Sequence, residues 1–368
     1  MKIYKIICAM ALMSLIVSGC GQRGSVAESI GNDSIVTHAR LLKMTEAEGY
    51  TRVDVYMPGD NATSAWQYAL VPRGADVTLP EGLTRVDVPL QRSIVYSTVH
   101  TTAINELAKA NAIVAVADGR YFAADDPISG MLKSGRIVDV GSSMAPSIEQ
   151  IIDLNVDAIL LSPIEGGTLG GVERTGVPLI FMADYLEATP LGRAEWIKLL
   201  GRLYGCAAQA DSIYLTVEEK YNTLKSRAMQ STTRPKTVTE RPFDGVWYVP
   251  GGRTYMARML ADAGAEYAWA DDSSTGSLAL DEAAVIDKAS DAEVWLVKDG
   301  TTHTEASLLA VMPHARAFSA FPQGVYSADG RIFRDIAFHP ELILEDFVTI
   351  FHPEIGGDTL RYFAPLQP

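Results

Sequence analysis

Cysteine is nearly missing from this chain: Cys8, Cys20 and Cys206 are the three among 368 residues. Two of them fall in an N-terminal leader. The body keeps Cys206 alone, which excludes an internal disulfide and a cysteine-built metal cluster. The small-residue helical context of Cys206, "LYGCAAQA", suits a plain core thiol rather than a reactive one. Basic residues are also few, 31 Lys and Arg against 45 Asp and Glu, for a formal charge of −14. That balance excludes nucleic acid as a natural partner, since phosphate binding needs a basic face. Common hydrolase signatures are absent: no G-x-S-x-G elbow and no H-E-x-x-H occurs. The six histidines include no pair at a metal-ligand spacing such as H-x-x-x-H.

What is present begins with an address. Lys2 and Lys5 precede an apolar stretch from Ile6 to Val17. This stretch falls short of the roughly 20 residues that span a bilayer, and it fits a secretory signal. Val17-Ser18-Gly19-Cys20 then has the form of a bacterial lipobox. The expectation is cleavage of residues 1–19 and acylation of Cys20, with several acyl chains giving stable anchoring. The mature chain would carry 29 basic and 45 acidic residues, a formal charge of −16. Residues 20–33, "CGQRGSVAESIGND", read as a polar tether. Gly21-Gln22-Arg23 carries no acidic export cluster, which favours a periplasm-facing protein on either the inner or the outer membrane.

The body alternates between strand and helix patterns, which indicates an α/β layer with mainly parallel strands. Residues 50–57 and 64–71 read as a hairpin around the turn-rich "PGDNAT". From residue 93 onward, strand runs such as "SIVYS", "AIVAVA", "DAILLS" and "VPLIFM" alternate with helical runs. Residues 191–229 break this rhythm with two helical segments, the second having Ile213, Val217, Tyr221 and Leu224 on one face. Alternation resumes with "GVWYVP", "EYAWA" and "AEVWLVK" as strands, and the chain ends in a helix starting at Pro340 and Glu341. The expected fold class is α/β: two Rossmann-like lobes joined by a long rigid helix, with an N-terminal β extension. The expected boundaries are a signal peptide over 1–19, a tether over 20–33, the β-rich extension over 34–83 and the first lobe over 84–190. Connecting helices follow over 191–231, and the second lobe over 232–368.

The segments "GRIVDVGSSMAPSIEQIIDLNVDAILLSP", "TGVPLIFMADYLEATPLGRAEWIKLLGRLYG", "WYVPGGRTYMARMLADAGAEYAW" and "HPELILEDFVTIFHP" carry a family resemblance. Over roughly residues 84–355 the chain resembles the Fe/B12-type periplasmic substrate-binding proteins of ABC importers, the helical-backbone class. The resemblance implies a class III periplasmic-binding fold and a monomer that is not an enzyme. Its work would be to capture a ferric siderophore, haem or cobalamin in a cleft between the lobes. Delivery would be to an ABC permease dimer with its ATPase. The ligand is cargo, and no resident cofactor is implied.

The same resemblance implies docking to the permease through one acid per lobe. Glu149, behind a capping pattern of Ser147 and Gln150, matches in the first lobe; Glu282, next to the N-cap candidate Asp281, matches in the second. The cleft belongs where loops leave the carboxyl ends of the strands. In the first lobe those loops hold His100, Tyr121, Glu165 and Tyr185, beside Ser97, Thr98 and Ser162. In the second they hold Trp247, Tyr248, Arg253, Tyr255 and Trp269, beside Lys298. "VWYVPGGRTY" is the richest candidate, offering aromatics, a Gly-Gly turn for close approach and an arginine. Arg193 and Glu195 read as a structural ion pair where the first lobe meets the connector. Two other classes remain open at this point: a zinc or manganese receptor of the same shape, and a periplasmic α/β enzyme.

Overall fold

A computed structural model of the chain describes residues 34–59, 63–123, 126–164 and 168–368. The leader with Cys20, and Glu165, lie outside the described residues. The body opens with a four-stranded sheet of β1 (Leu42–Ala47), β2 (Tyr50–Val55), β3 (Trp66–Pro72) and β4 (Thr84–Val88), in that order. β2 and β3 form the hairpin expected from the sequence, with Val53 opposite Tyr68. β1 adds an antiparallel strand that the sequence reading did not place, and β4 joins parallel to β3. Met44, Val53, Val55, Tyr68, Leu70 and Val86 are buried and join the main core. Trp66 stacks on Phe181 at 4.1 Å, which seats this sheet on the first lobe.

The first lobe runs β5 (Ser93–Val95), α1 (Thr98–Glu106), β6 (Ile113–Val116), α2 (Pro127–Lys133) and β7 (Val138–Asp139). A short hairpin of β8 (Gly141–Ser142) and β9 (Ala145–Pro146) follows, then α3 (Ile148–Asp153), β10 (Ala158–Leu161) and β11 (Leu179–Phe181). Its five-stranded sheet has the order β11-β10-β5-β6-β7, parallel throughout. A parallel sheet is covered on both faces, so its strands are apolar on both. β10 shows this directly: Ala158 and Leu160 enter the main core, Ile159 and Leu161 a second core that includes Ile151 of α3.

The chain crosses to the second sheet once, through α4 (Pro190–Ala194), α5 (Ile197–Leu203) and α6 (Ala207–Ala228). The 22 residues of α6 span about 33 Å at 1.5 Å per residue. Its buried stripe is Ala210, Tyr214, Val217 and Tyr221. Ile213 and Leu224 of the expected face lie at the edge of that stripe, partly buried. Cys206 caps the start of α6 as a free, half-buried thiol that burial pushes above its ordinary pKa.

The second lobe begins with β12 (Lys236–Thr239), β13 (Pro242–Phe243), β14 (Val246–Pro250), α7 (Tyr255–Asp262) and β15 (Glu266–Tyr267). It continues with β16 (Ser277–Leu280), α8 (Glu282–Ala289), β17 (Val294–Gly300), α9 (Glu305–Val311), β18 (Val325–Asp329), α10 (Ile332–Asp335), α11 (Pro340–Phe351) and β19 (Phe363–Pro365). The main sheet has the order β15-β12-β17-β18-β19, with only β19 antiparallel. "GVWYVP", read as part of the alternation, instead forms β14 of a separate antiparallel ribbon, β13-β14-β16. "EYAWA" shortens to the two residues of β15.

The connector also holds the segment ahead of β1. The Glu195 carboxylate accepts the backbone N–H groups of Thr37, His38 and Ala39 at 2.7–3.0 Å. The Glu187 carboxylate accepts those of Arg40 and Leu41 at 2.9–3.0 Å, and the indole Nε1–H of Trp196 at 3.0 Å. The expected Arg193–Glu195 pair is therefore corrected. Glu195 faces the N-terminal segment and Lys198, with Nζ at 2.8 Å, while Arg193 turns the other way to Asp184.

Candidate functional site

Both lobes contribute to one gap. A cavity of about 530 Å³ is lined by Thr98, Tyr185, Glu187 and Arg193 from the first lobe and connector, and by Glu240, Tyr255, Ser277, Lys298 and Phe333 from the second. A neighbouring cavity of about 460 Å³ is lined by Tyr121, Asp126, Asp329, Arg331 and Arg334, and shares Thr98 and Phe333 with the first. α1 of one lobe packs against α10 of the other at this junction. The gap sits where both parallel sheets release their loops, the usual place for a ligand in α/β folds.

Each wall is built locally. Thr254 caps α7 by accepting the Ala257 N–H at 3.2 Å, which sets Tyr255 at the first helical position, facing the gap. The Arg193 guanidinium lies over the Tyr255 ring, 4.8 Å from its centroid. Behind it, Asp184 accepts from Arg193 Nε at 3.2 Å and lies 2.8 Å from His100 Nε2. Burial works against the Asp184 charge, yet His100 and Arg193 together hold its pKa below the ordinary carboxylate value. On the second lobe, the Lys298 ammonium is bonded to the Glu240 carboxylate. Glu240 has φ of +66°, in the left-handed region, a placement that costs a non-glycine residue roughly 1 kcal/mol. Outside the two cavities, His339 joins the lobes: Nε2 lies 2.8 Å from Glu106 of α1, and Nδ1 lies 3.1 Å from Glu341 of α11.

The residues expected at the cleft divide into two groups. Tyr121, Tyr185 and Tyr255, with Thr98 and Lys298, line the gap. Tyr121 is 67% exposed, and Tyr185 donates its hydroxyl to Pro163 O at 2.5 Å. His100 does not face a ligand: it is 1% exposed, on the buried side of α1, and serves Asp184. Trp247 is fully buried, donates Nε1–H to Thr239 O at 2.9 Å, and packs with Trp295 and Phe318. Strand alternation then sends Tyr248 to the outer face of the ribbon, where it lines neither cavity. Trp269 is buried beside Tyr267, with ring centroids 5.6 Å apart. Arg253 is exposed on the loop ahead of α7 and lines neither cavity. The Gly-Gly turn serves the chain itself, because a Cβ at Gly252 would fall on the carbonyls of Trp269, Ala270 and Asp272.

The matching model is that of the periplasmic binding proteins, over residues 95–322. The chain belongs to the periplasmic binding protein family. An uncharacterized lipoprotein of Methanocaldococcus jannaschii is 27% identical over 297 residues, 77% of this chain and 70% of that one. A second uncharacterized lipoprotein of the same organism is 27% identical over 253 residues, 64% of this chain and 63% of that one. Among solved structures, a periplasmic heme binding protein from Pseudomonas aeruginosa superposes with a TM-score of 0.59 at 17% identity, covering 76% of this chain and 99% of that one. A protein of an ABC-type Fe3+-hydroxamate transport system from Saccharomonospora viridis gives 0.56 at 18% identity, covering 72% and 94%. This periplasmic binding protein has the class III fold that the sequence resemblance implied, and its family is one of substrate-binding proteins rather than enzymes. No group of three His, Cys, Asp or Glu side chains suited to a metal ion occurs among the described residues.

Sequence reasoning missed the α10 wall. Asp329 ends β18, a strand not placed from "GVYSAD"; Arg331, Phe333 and Arg334 follow it, and all four lie beyond the matched span 95–322. The β-prone pair Val325-Tyr326, with Asp-Gly following at 329–330, was the available signal. The docking candidates stand as follows. Glu149 is exposed in the first turn of α3, where Ser147 Oγ accepts the Gln150 N–H at 3.5 Å. Glu282 opens α8 behind the N-cap Asp281, and its carboxylate lies 3.1 Å from His314 Nδ1.

Proposed function

We propose that this periplasmic binding protein is the lipid-anchored capture component of an ABC importer. It takes a bulky metal chelate, a ferric siderophore, haem or cobalamin, into the gap between its lobes and hands it to a permease dimer. The observation that carries this reading is the gap itself: two adjoining cavities of about 530 and 460 Å³, walled from both lobes by Tyr121, Tyr185, Tyr255 and Phe333. Aromatic faces with a few directed polar groups suit a large, partly flat ligand. Relatives that are lipoproteins, and a similar fold in a heme binding protein and an Fe3+-hydroxamate system, support it. Residues 1–19 act as the signal, Cys20 takes the lipid, and 20–33 form the tether. Glu149 and Glu282 meet cations on the permease, and the single 22-residue crossing α6 keeps the lobes at a nearly fixed spacing.

The test is a thermal-shift panel of haemin, ferric siderophores and cyanocobalamin. A true ligand at a hundredfold excess over Kd stabilises the native state by about 2.7 kcal/mol, and Tyr255→Ala reduces that shift. Stabilisation by zinc or manganese alone, with every chelate inert, overturns the reading in favour of a metal-ion receptor.

A further inference from the structure

The cations around the gap are already matched to acids. Arg193 is bonded to Asp184 at 3.2 Å, and Lys298 to Glu240. Arg331 gives Nε and Nη2 to the Asp329 carboxylate at 2.7–3.1 Å. Arg334 lies in the field of the same Asp329. At the rim, Arg120 stacks on the Tyr121 ring at 4.8 Å and lies 3.8 Å from Asp118. The two cavities present four cations, Arg193, Lys298, Arg331 and Arg334, against four carboxylates, Glu187, Glu240, Asp126 and Asp329. Residues 124–125, between the wall residues Ala123 and Asp126 in sequence, and residues 165–167 contain no Lys or Arg. The whole chain adds a formal charge of −14.

Such a gap has no surplus positive field. A polyanionic chelate would have to displace Asp184, Glu240 or Asp329 from its partner, or sit beside those carboxylates. Either course leaves charge desolvated and poorly matched, and the net negative field slows its approach. An uncharged or monocationic chelate meets neither obstacle. Its carbonyl and amide edges can bond to the paired groups without separating them, and its apolar parts can lie on the aromatic walls. We propose that the substrate is an uncharged or cationic bulky chelate, of the ferric trihydroxamate or corrinoid kind, and that the acid partners of the gap cations exclude polyanions. This deepens the capture reading and rests on it.

Isothermal titration of the full mature chain tests it. The probes are ferrichrome, ferrioxamine B and cyanocobalamin on one side, and haemin and ferric enterobactin on the other. The expected result is a preference of about a hundredfold for at least one uncharged or cationic probe over both anions. Whichever of the first three binds tells the hydroxamate and corrinoid kinds apart. Glu240→Gln releases Lys298 and is expected to shrink that preference about tenfold, with a new dependence on salt. Tightest binding of haemin or ferric enterobactin to the wild type overturns the charge inference and leaves chelate capture standing. A preference that Glu240→Gln, Asp329→Asn and added salt all leave unmoved overturns it too, because shape alone then makes the choice. If none of the five probes binds, the capture reading itself fails and this inference with it.

Discussion

In the first lobe the candidate aromatics Tyr121 and Tyr185 face the gap; in the second only Tyr255 does, with Trp247 and Trp269 buried and Tyr248 on the outer face. Tyr121 is 67% and Tyr185 39% exposed, whereas Trp247 and Trp295 are fully buried, 5.8 Å apart, with Phe318 closing the cluster. The difference follows from where the residues sit. Tyr121 and Tyr185 lie on short 3-10 turns after strand ends, outside any sheet. Trp247 lies within β14, whose inward face rests on the second lobe's core. A residue's position relative to the strand end, more than its chemistry, decides whether it builds a site or a core.

The largest expected effect comes from cutting into that contrast. Trp247→Ala is expected to cost about 3–5 kcal/mol of stability, as large core truncations do. Tyr121→Ala is expected to stay within about 0.5 kcal/mol. Urea unfolding of both variants measures the gap, and equal losses would break the comparison. Next come the acids. Glu149 has no side-chain partner among the described residues, while Glu282 lies against His314. If both meet permease cations, Glu149→Ala is expected to lower uptake of the identified chelate about tenfold, roughly 1.4 kcal/mol. Glu282→Ala should lower it less, because His314 already engages that carboxylate; the reverse order would recast which lobe leads docking.

The smallest effect concerns the bond between the lobes. Burial disfavours charge on His339, but Glu106 and Glu341 outweigh it and raise its pKa to about 10. A raised histidine pKa gives stability that is fully present below the ordinary value near 6.5 and is lost as pH climbs through about 10. Glu106→Gln should flatten that decline by about 1 kcal/mol, since the pair is partly solvated. Urea midpoints at pH 7 and pH 10 measure it, and an unchanged slope would mean that the lobes are joined by packing alone.

The alternation of strands and helices was legible because parallel strands are apolar on both faces, as in Ala158–Leu161. So was the long helix, from the spacing of Val217 and Tyr221. The partners of charged residues were not. Arg193 and Glu195 are two apart, and helix geometry places residues at that spacing on different faces. They meet Asp184 and the segment Thr37–Ala39 respectively, neither of which a local pattern reveals. The part of the gap wall supplied by the end of β18 and by α10 was hidden for a similar reason: it depends on a parallel neighbour, β17, pairing with a strand that begins about 30 residues later in the chain.

Five main-chain amides, from Thr37 to Leu41, end on Glu187 and Glu195. Glu187 also forms part of the cavity wall. A recombinant version trimmed back to the span shared with the family would take those five donors away from two buried acids, leaving only Lys198 to Glu195 and the Trp196 indole to Glu187, and loosen the very surface meant to be assayed. Residues 37–41 are thus a structural plug, and any fragment made for study has to begin upstream of them.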